Sequence, residues 1–201
     1  MHATRADGCR NLSLHMARLQ TSARYFGFRC DAQEIATRLH LHCAQLLAEV
    51  PYRVRLSLDG AGQIGIVSAV LQPLNLPVKL LLSDQTVQSQ DLWLRHKTTI
   101  RERYDRAWQQ AESVGAFDML FFNEAGLLTE GGRSNVLVEI EGRWLTPPLA
   151  AGILPGVMRT RLLADPAWAI TERHISRSEL LSATQIMVCN ALRGIIPAQL
   201  A

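Results

Sequence analysis

Four places in this 201-residue chain carry groups that could do chemistry. The first is a lysine. Against 19 arginines there are only two lysines, Lys79 and Lys97. Lys97 sits in "WLRHKTTIRERYD", beside Trp93, Arg95 and His96. Neighbouring positive charge and desolvation both disfavour an ammonium, so Lys97 is a candidate neutral amine, the form a Schiff-base nucleophile needs. A surface lysine at a helix start is the plain alternative. The second is Glu130, followed at once by Gly131 and Gly132 in "TEGGRSN". Glycines let backbone approach a flat ligand closely, so the acid could meet a ring edge-on. A solvated acid at a strand end is the other reading. The third is "GILPGVMRT", where Pro155-Gly156 turns the chain into a helix. The N–H groups of Val157 and Met158 would point out of that helix end, as at phosphate sites, although many helices start after Pro-Gly and bind nothing. The fourth is Arg18, a fixed guanidinium for a phosphate or an ordinary solvated helix arginine.

A Schiff-base lysine, a phosphate clamp and an acid for a protonated ring nitrogen are together what pyridoxal 5′-phosphate (PLP) requires. The acid keeps the pyridine protonated and electron-accepting. The lysine holds the aldehyde and later moves a proton.

Composition leaves this reading open. Apolar residues make up 48% and charged residues 19%, the balance of a globular chain long enough for one large or two small domains. The net charge of +3 is scattered rather than clustered, which argues against a nucleic-acid surface. No run of about 18 apolar residues suggests a membrane span, and "MHATRADGCRN" lacks the apolar core of a signal peptide. Cysteines at 9, 30, 43 and 189 form no C-x-x-C pair and no zinc spacing, so reduced cytoplasmic thiols and no metal are expected.

The positioning elements follow from periodicity. Leu12, Met16, Leu19, Ala23 and Phe26 have helical spacing and Gly27 stops the helix. Asp31-x-x-Glu34 caps a second helix whose apolar residues recur through Val50. "YRVRLSL" and "QIGIVSAVL" flank a turn, and 76–82 is a further strand. Residues 98–113 read as a polar helix, then "FDMLFF", "LLTE", "NVLVEI" and "RWLT" as strands joined by turns. A short helix over 156–164, a capping box at Ser176-x-x-Glu179 and a last strand, 185–190, complete the pattern. Residues 1–82 form a small α+β domain, the polar stretch 83–96 is the expected linker, and 97–201 form a larger, mostly β domain.

The segments "HMARLQTSARYFGF", "RHKTTIRERYD", "NEAGLLTEGGRSNVLVEIEGRWLTPPLAAGILPGVMRTRLL" and "MVCNALRGIIP" run in the order found in fold-type IV PLP enzymes. The chain resembles that family from about residue 10 to 197, and within it the 4-amino-4-deoxychorismate lyases, especially the lyase region fused to aminodeoxychorismate synthase. Branched-chain and D-amino-acid aminotransferases share the fold. The resemblance implies an α+β architecture, a small α/β sandwich plus a larger pseudo-barrel β domain with short helices. It implies PLP as cofactor, Lys97 as the catalytic, cofactor-holding lysine, Glu130 at the pyridine nitrogen and Arg18 at the phosphate. It places Val157 and Met158 as backbone phosphate contacts, and Asn190 and Ala191 in the loop beside phosphate and substrate. A cytoplasmic homodimer acting in folate synthesis, with a functional link to aminodeoxychorismate synthase, goes with it.

Departures from the pattern sort the members. Aminotransferases of this fold often carry hydroxyl residues where this chain has Met158 and Ala191, and an arginine in the turn that here reads "DGAGQ". The lyases share the apolar choices. Arg53, Arg55, Arg95 and Arg193 remain unranked as binders of a substrate carboxylate. Stand-alone members also begin earlier, so the first strands are expected to be short or missing. An aminotransferase, or a non-catalytic relic of the family, are the alternatives.

Overall fold

The structure, a computed structural model, describes residues 1–201. The chain divides into two units, Met1–Pro73 and Leu74–Ala201. The boundary therefore falls before the strand expected at 76–82, not after it. The stretch 83–96, expected as a linker, holds the second half of a strand and a short helix. Its polar sequence misleads because the strand runs out toward solvent there, with Asp84 to Thr86 exposed between buried Ser83 and Val87.

In the first unit, β1 (His2–Thr4), β2 (Gly8–Cys9), β3 (Tyr52–Leu58) and β4 (Ile64–Val70) make an antiparallel sheet in the order β2-β1-β3-β4. Two helices, α1 (Leu12–Phe26) and α2 (Ala32–Ala44), complete it. Helix α1 ends where Gly27 takes a left-handed backbone (φ 69°) and Phe28 N–H reaches back to the Ala23 carbonyl at 2.8 Å. Asp31 caps α2 by accepting from Glu34 N–H at 3.0 Å. That helix stops at Ala44, not Val50. Leu46 is still buried, but from a turn, which apolar spacing alone does not distinguish from a further helical turn. Ala3, Met16, Ile35, Leu39 and Val54 form this unit's core.

The second unit is a curled eight-stranded sheet. Its strands are β5 (Val78–Val87), β6 (Asp118–Asn123), β7 (Leu128–Gly131), β8 (Asn135–Ile140), β9 (Arg143–Thr146), β10 (Thr171–Glu172), β11 (Gln185–Asn190) and β12 (Gly194–Leu200), ordered β10-β9-β8-β11-β12-β5-β6-β7. Near one edge the sheet curls back, since Leu128 N–H donates to the Ile175 carbonyl at 2.8 Å. Strands β8 and β9 are joined by Glu141-Gly142, both at positive φ (51° and 71°), the backbone of a two-residue turn that matches strand twist. Strand β6 is buried on both faces. Leu120 and Phe122 join one core with Leu128, Val136 and Val188. Met119 and Phe121 join another, packed on α4 (Glu102–Ser113) through Tyr104, Ala107 and Ala111. Helix α3 (Leu92–Arg95) precedes α4. Helices α5 (Val157–Leu163) and α6 (Arg177–Leu181) follow β9, and α6 carries the full Ser176–Glu179 capping box. Strand β12, absent from the sequence reading, pairs in parallel with β5 and antiparallel with β11. No helix is long and apolar enough to cross a membrane.

Candidate active site

Strand β7 delivers Glu130 into the interior, where only 6% of its surface is exposed. Its Oε2 accepts from Asn135 Nδ2 at 3.0 Å, and Tyr104 O–H points to Oε1 at a long 3.4 Å. Burial pushes the carboxyl up to about 8. A backbone hydrogen bond from Leu154 and the charges of Lys97 and Arg101 pull the other way, while Asp118 adds to the rise. The protein thus holds an acid that desolvation keeps from ionising and that a cationic partner would ionise. Burial, with the Glu130 charge, also raises the Tyr104 phenol, so Tyr104 stays a neutral donor.

The two glycines after Glu130 serve a different neighbour from the one expected. A Cβ on Gly131 would lie 2.3 Å from Asp118 Oδ2, and one on Gly132 would lie 3.1 Å from the Tyr104 carbonyl oxygen. The atoms that fill the glycine space are therefore protein atoms. Asp118 is fully buried and accepts from Ser134 Oγ (2.5 Å), Arg133 N–H (3.1 Å) and Met119 N–H (2.9 Å). Burial raises this carboxyl too, against the pull of those donors and of Arg133. Its role is to hold the 131–134 turn. Arg133 stacks over Phe117 (4.2 Å) and Trp108 (5.1 Å) and donates to the Phe117 carbonyl, which makes it a packing clamp. Arg101 likewise donates to the Gly132 carbonyl and to Asp105.

Asn135 connects the acid to the start of α5. Its Nδ2 donates to Glu130 Oε2 and also to the Leu154 carbonyl at 3.1 Å. Gly156, the residue before α5, contributes no side-chain cap, so the first-turn N–H groups of Val157 and Met158 face outward from the helix. Val157 is buried and Met158 half-buried. At the end of β11, Asn190 Oδ1 accepts from Leu192 N–H (3.1 Å) and Arg193 N–H (2.9 Å), folding the turn that contains Ala191. Asn190 Nδ2 donates to the Arg133 carbonyl at 3.3 Å, which sets this turn beside the one after Glu130.

Lys97 lies exposed between α3 and α4, with its charge acting on Glu130. The burial expected of this lysine is therefore not found. The lower pKa of His96 comes from burial and from Arg95, and Arg95 itself donates to Gln90 at 3.1 Å. Arg193 is half-buried and weakened by that burial. Arg18 is half-buried on α1 and Arg53 and Arg55 are exposed on β3, all in the first unit. Sequence reasoning missed Asn135, Tyr104, Asp118 and Arg101. Asp118 had a signal, a lone acid in the apolar run "FDMLFF"; Asn135 had none beyond lying five residues after Glu130.

A curled sheet with short helices that buries Glu130 near a helix start without a side-chain cap is the architecture of a fold-type IV enzyme. The family model described as amino-transferase class IV matches residues 3–201, and the chain belongs to that family. A Schizosaccharomyces pombe protein provisionally named aminodeoxychorismate lyase is 26% identical over 189 residues, covering 92% of this chain and 81% of that one. A Thermotoga maritima protein provisionally named branched-chain-amino-acid aminotransferase is 28% identical over 195 residues, covering 92% of this chain and 70% of that one. A crystal structure from Mesorhizobium loti, provisionally described as an amino-acid aminotransferase, superposes with a TM-score of 0.90. It is 34% identical and covers 100% of this chain and 97% of that one. The family's cofactor is PLP. The residues present fit it: Glu130 is a buried acid held by Asn135 Nδ2, and a protonated ring nitrogen beside it would favour its ionised form.

Proposed function

We propose that this chain is a PLP-dependent lyase that converts 4-amino-4-deoxychorismate to 4-aminobenzoate and pyruvate. The observation that carries the reading is the apolar pair Met158 and Ala191, half-buried at the start of α5 and in the turn after β11, where aminotransferases of the fold often have hydroxyls. The lyase name of the S. pombe relative supports it. Lys97 would hold PLP by its amine and Glu130 would take the ring nitrogen. The N–H groups of Val157 and Met158 and the Asn190–Ala191 turn would take the phosphate side. When bound, PLP supplies a ring that accepts the electron pair left on the amine-bearing carbon.

The chain's own groups do the rest. Glu130 must be ionised to hold a protonated nitrogen, and Asn135 Nδ2 is placed to favour that state. Lys97, on a short connecting segment, would take the proton from the amine-bearing carbon and pass it to the departing enolpyruvate. With that proton gone, the ether bond to the enolpyruvyl group breaks and the substrate ring becomes aromatic, which drives the reaction. The enolpyruvate leaves as pyruvate. This reading carries with it a cytoplasmic homodimer supplied by the enzyme that aminates chorismate.

The M. loti and T. maritima relatives favour a second reading, an aminotransferase of the same fold. Aminodeoxychorismate added to the PLP-loaded protein separates the two. Equal amounts of pyruvate and 4-aminobenzoate support the lyase. Amino transfer to a keto acid without pyruvate release would overturn it. Lys97→Ala should abolish the visible absorbance that PLP gains on the wild type, and a band unchanged in the variant would remove Lys97 from its role. Protein that never takes up PLP would point to a non-catalytic module.

A further inference from the structure

We propose that Asn135 is a positioning residue that fixes the orientation and favours the ionised form of Glu130 by tying it to the Leu154 carbonyl. The inference deepens the reading of this site as a PLP pocket and rests on it. Asn135 is the first residue of β8 and only 5% exposed. Its backbone is anchored in the sheet opposite Cys189. Both Nδ2 hydrogens are used, one on Glu130 Oε2 at 3.0 Å and one on the Leu154 carbonyl at 3.1 Å, which fills the donor capacity of the amide nitrogen. The reverse amide orientation would set an oxygen against a carboxylate and a carbonyl, so chemistry fixes which way the group points. On its other side, Oδ1 occupies the space a Cβ on Gly156 would fill, 1.8 Å away. The carboxamide is thus wedged between Glu130 and the 154–156 backbone and has nowhere to rotate.

Glu130 has two other donors near its side chain: the Leu154 N–H, which gives it a backbone hydrogen bond, and the neutral Tyr104 hydroxyl, at a long 3.4 Å from Oε1. Around the carboxyl are Lys97 and Arg101, which favour its ionised form, and Asp118, which disfavours it. Lys97 is the group the proposed function commits to other work. Beside the Leu154 N–H, Asn135 is the short-range neutral side-chain donor placed to hold the acid.

The test uses Asn135→Leu, with Asn135→Ala as the second variant should the first not fold. In ligand-free protein, the Glu130 carboxyl is followed by difference infrared titration and assigned by its loss in Glu130→Gln. The Asn135 variant should move its midpoint upward by about one pH unit or more. PLP affinity, measured by fluorescence titration, should fall about ten- to a hundredfold, the range expected for losing a hydrogen bond to a charged group. In the Glu130→Gln background the same substitution should cost at most a few-fold, because the group it acts through is gone. An unmoved Glu130 midpoint, or equal losses of affinity in both backgrounds, would overturn the proposal. The titration decides even if the wild-type protein takes up no PLP, an outcome that would count against the proposed function instead.

Discussion

Gly156→Ala offers the sharpest steric test of how the pocket is held. The position has φ −69° and ψ 134°, an extended backbone that alanine adopts freely, so the substitution introduces no conformational strain. It should even stabilise by about 0.4–1 kcal/mol through the unfolded chain. The obstacle is one atom. The new Cβ would sit 1.8 Å from Asn135 Oδ1 and 3.0 Å from Asn135 Cγ. Asn135 cannot rotate aside without giving up its bonds to Glu130 and to the Leu154 carbonyl. Above about pH 8, where Glu130 is ionised, the first is worth about 1.5–3 kcal/mol and the second about 0.5–1.5. Net of the entropy gain, Gly156→Ala should cost about 1–4 kcal/mol. Urea denaturation followed by tryptophan fluorescence reads this as a lower midpoint with an unchanged slope. The double variant Gly156→Ala/Asn135→Ala should be no less stable than Asn135→Ala alone, since the clashing atom is gone. A single variant within about 0.5 kcal/mol of wild type, or a double variant showing both full losses, would refute the steric reasoning.

Three further outcomes follow from the same geometry. The ligand-free protein should lose stability as pH rises from about 4.5 to about 8, because the folded state keeps the Glu130 proton that the unfolded chain releases at 4.5; Glu130→Gln should flatten that part of a melting-temperature profile. Gly131→Ala should destabilise by at least about 2 kcal/mol in the same urea assay, since its Cβ would meet the buried Asp118 carboxyl at 2.3 Å. Arg133→Ala should cost about 1–3 kcal/mol of stability while leaving KM for substrate within about twofold, and Arg133→Lys should not restore the stability, because an ammonium cannot stack flat on Phe117 and Trp108. A large rise in KM with stability intact would show Arg133 to be a substrate clamp.

What the sequence determined by itself is local. Gly27 ends α1, Asp31 and Ser176 cap α2 and α6, and Glu141-Gly142 closes the β8–β9 hairpin. Each depends on residues within a few positions of one another, so spacing alone exposes it. The order of Lys97, Glu130 and Pro155-Gly156 was legible for the same reason, and it carried the family resemblance. Tertiary structure decided the rest. The polar stretch at 83–87 is strand because β6 pairs with it at Thr86 and Val87, past an irregularity after Leu82, over separations no local pattern encodes. Helix α2 stops at Ala44 because Leu46 finds the core from a turn. The glycines after Glu130 answer to Asp118, twelve or more residues earlier, and Asn135 matters through Leu154 and Gly156, nineteen or more residues later. Sequence singled out Glu130; only packing could name the neighbours that decide whether that acid is charged.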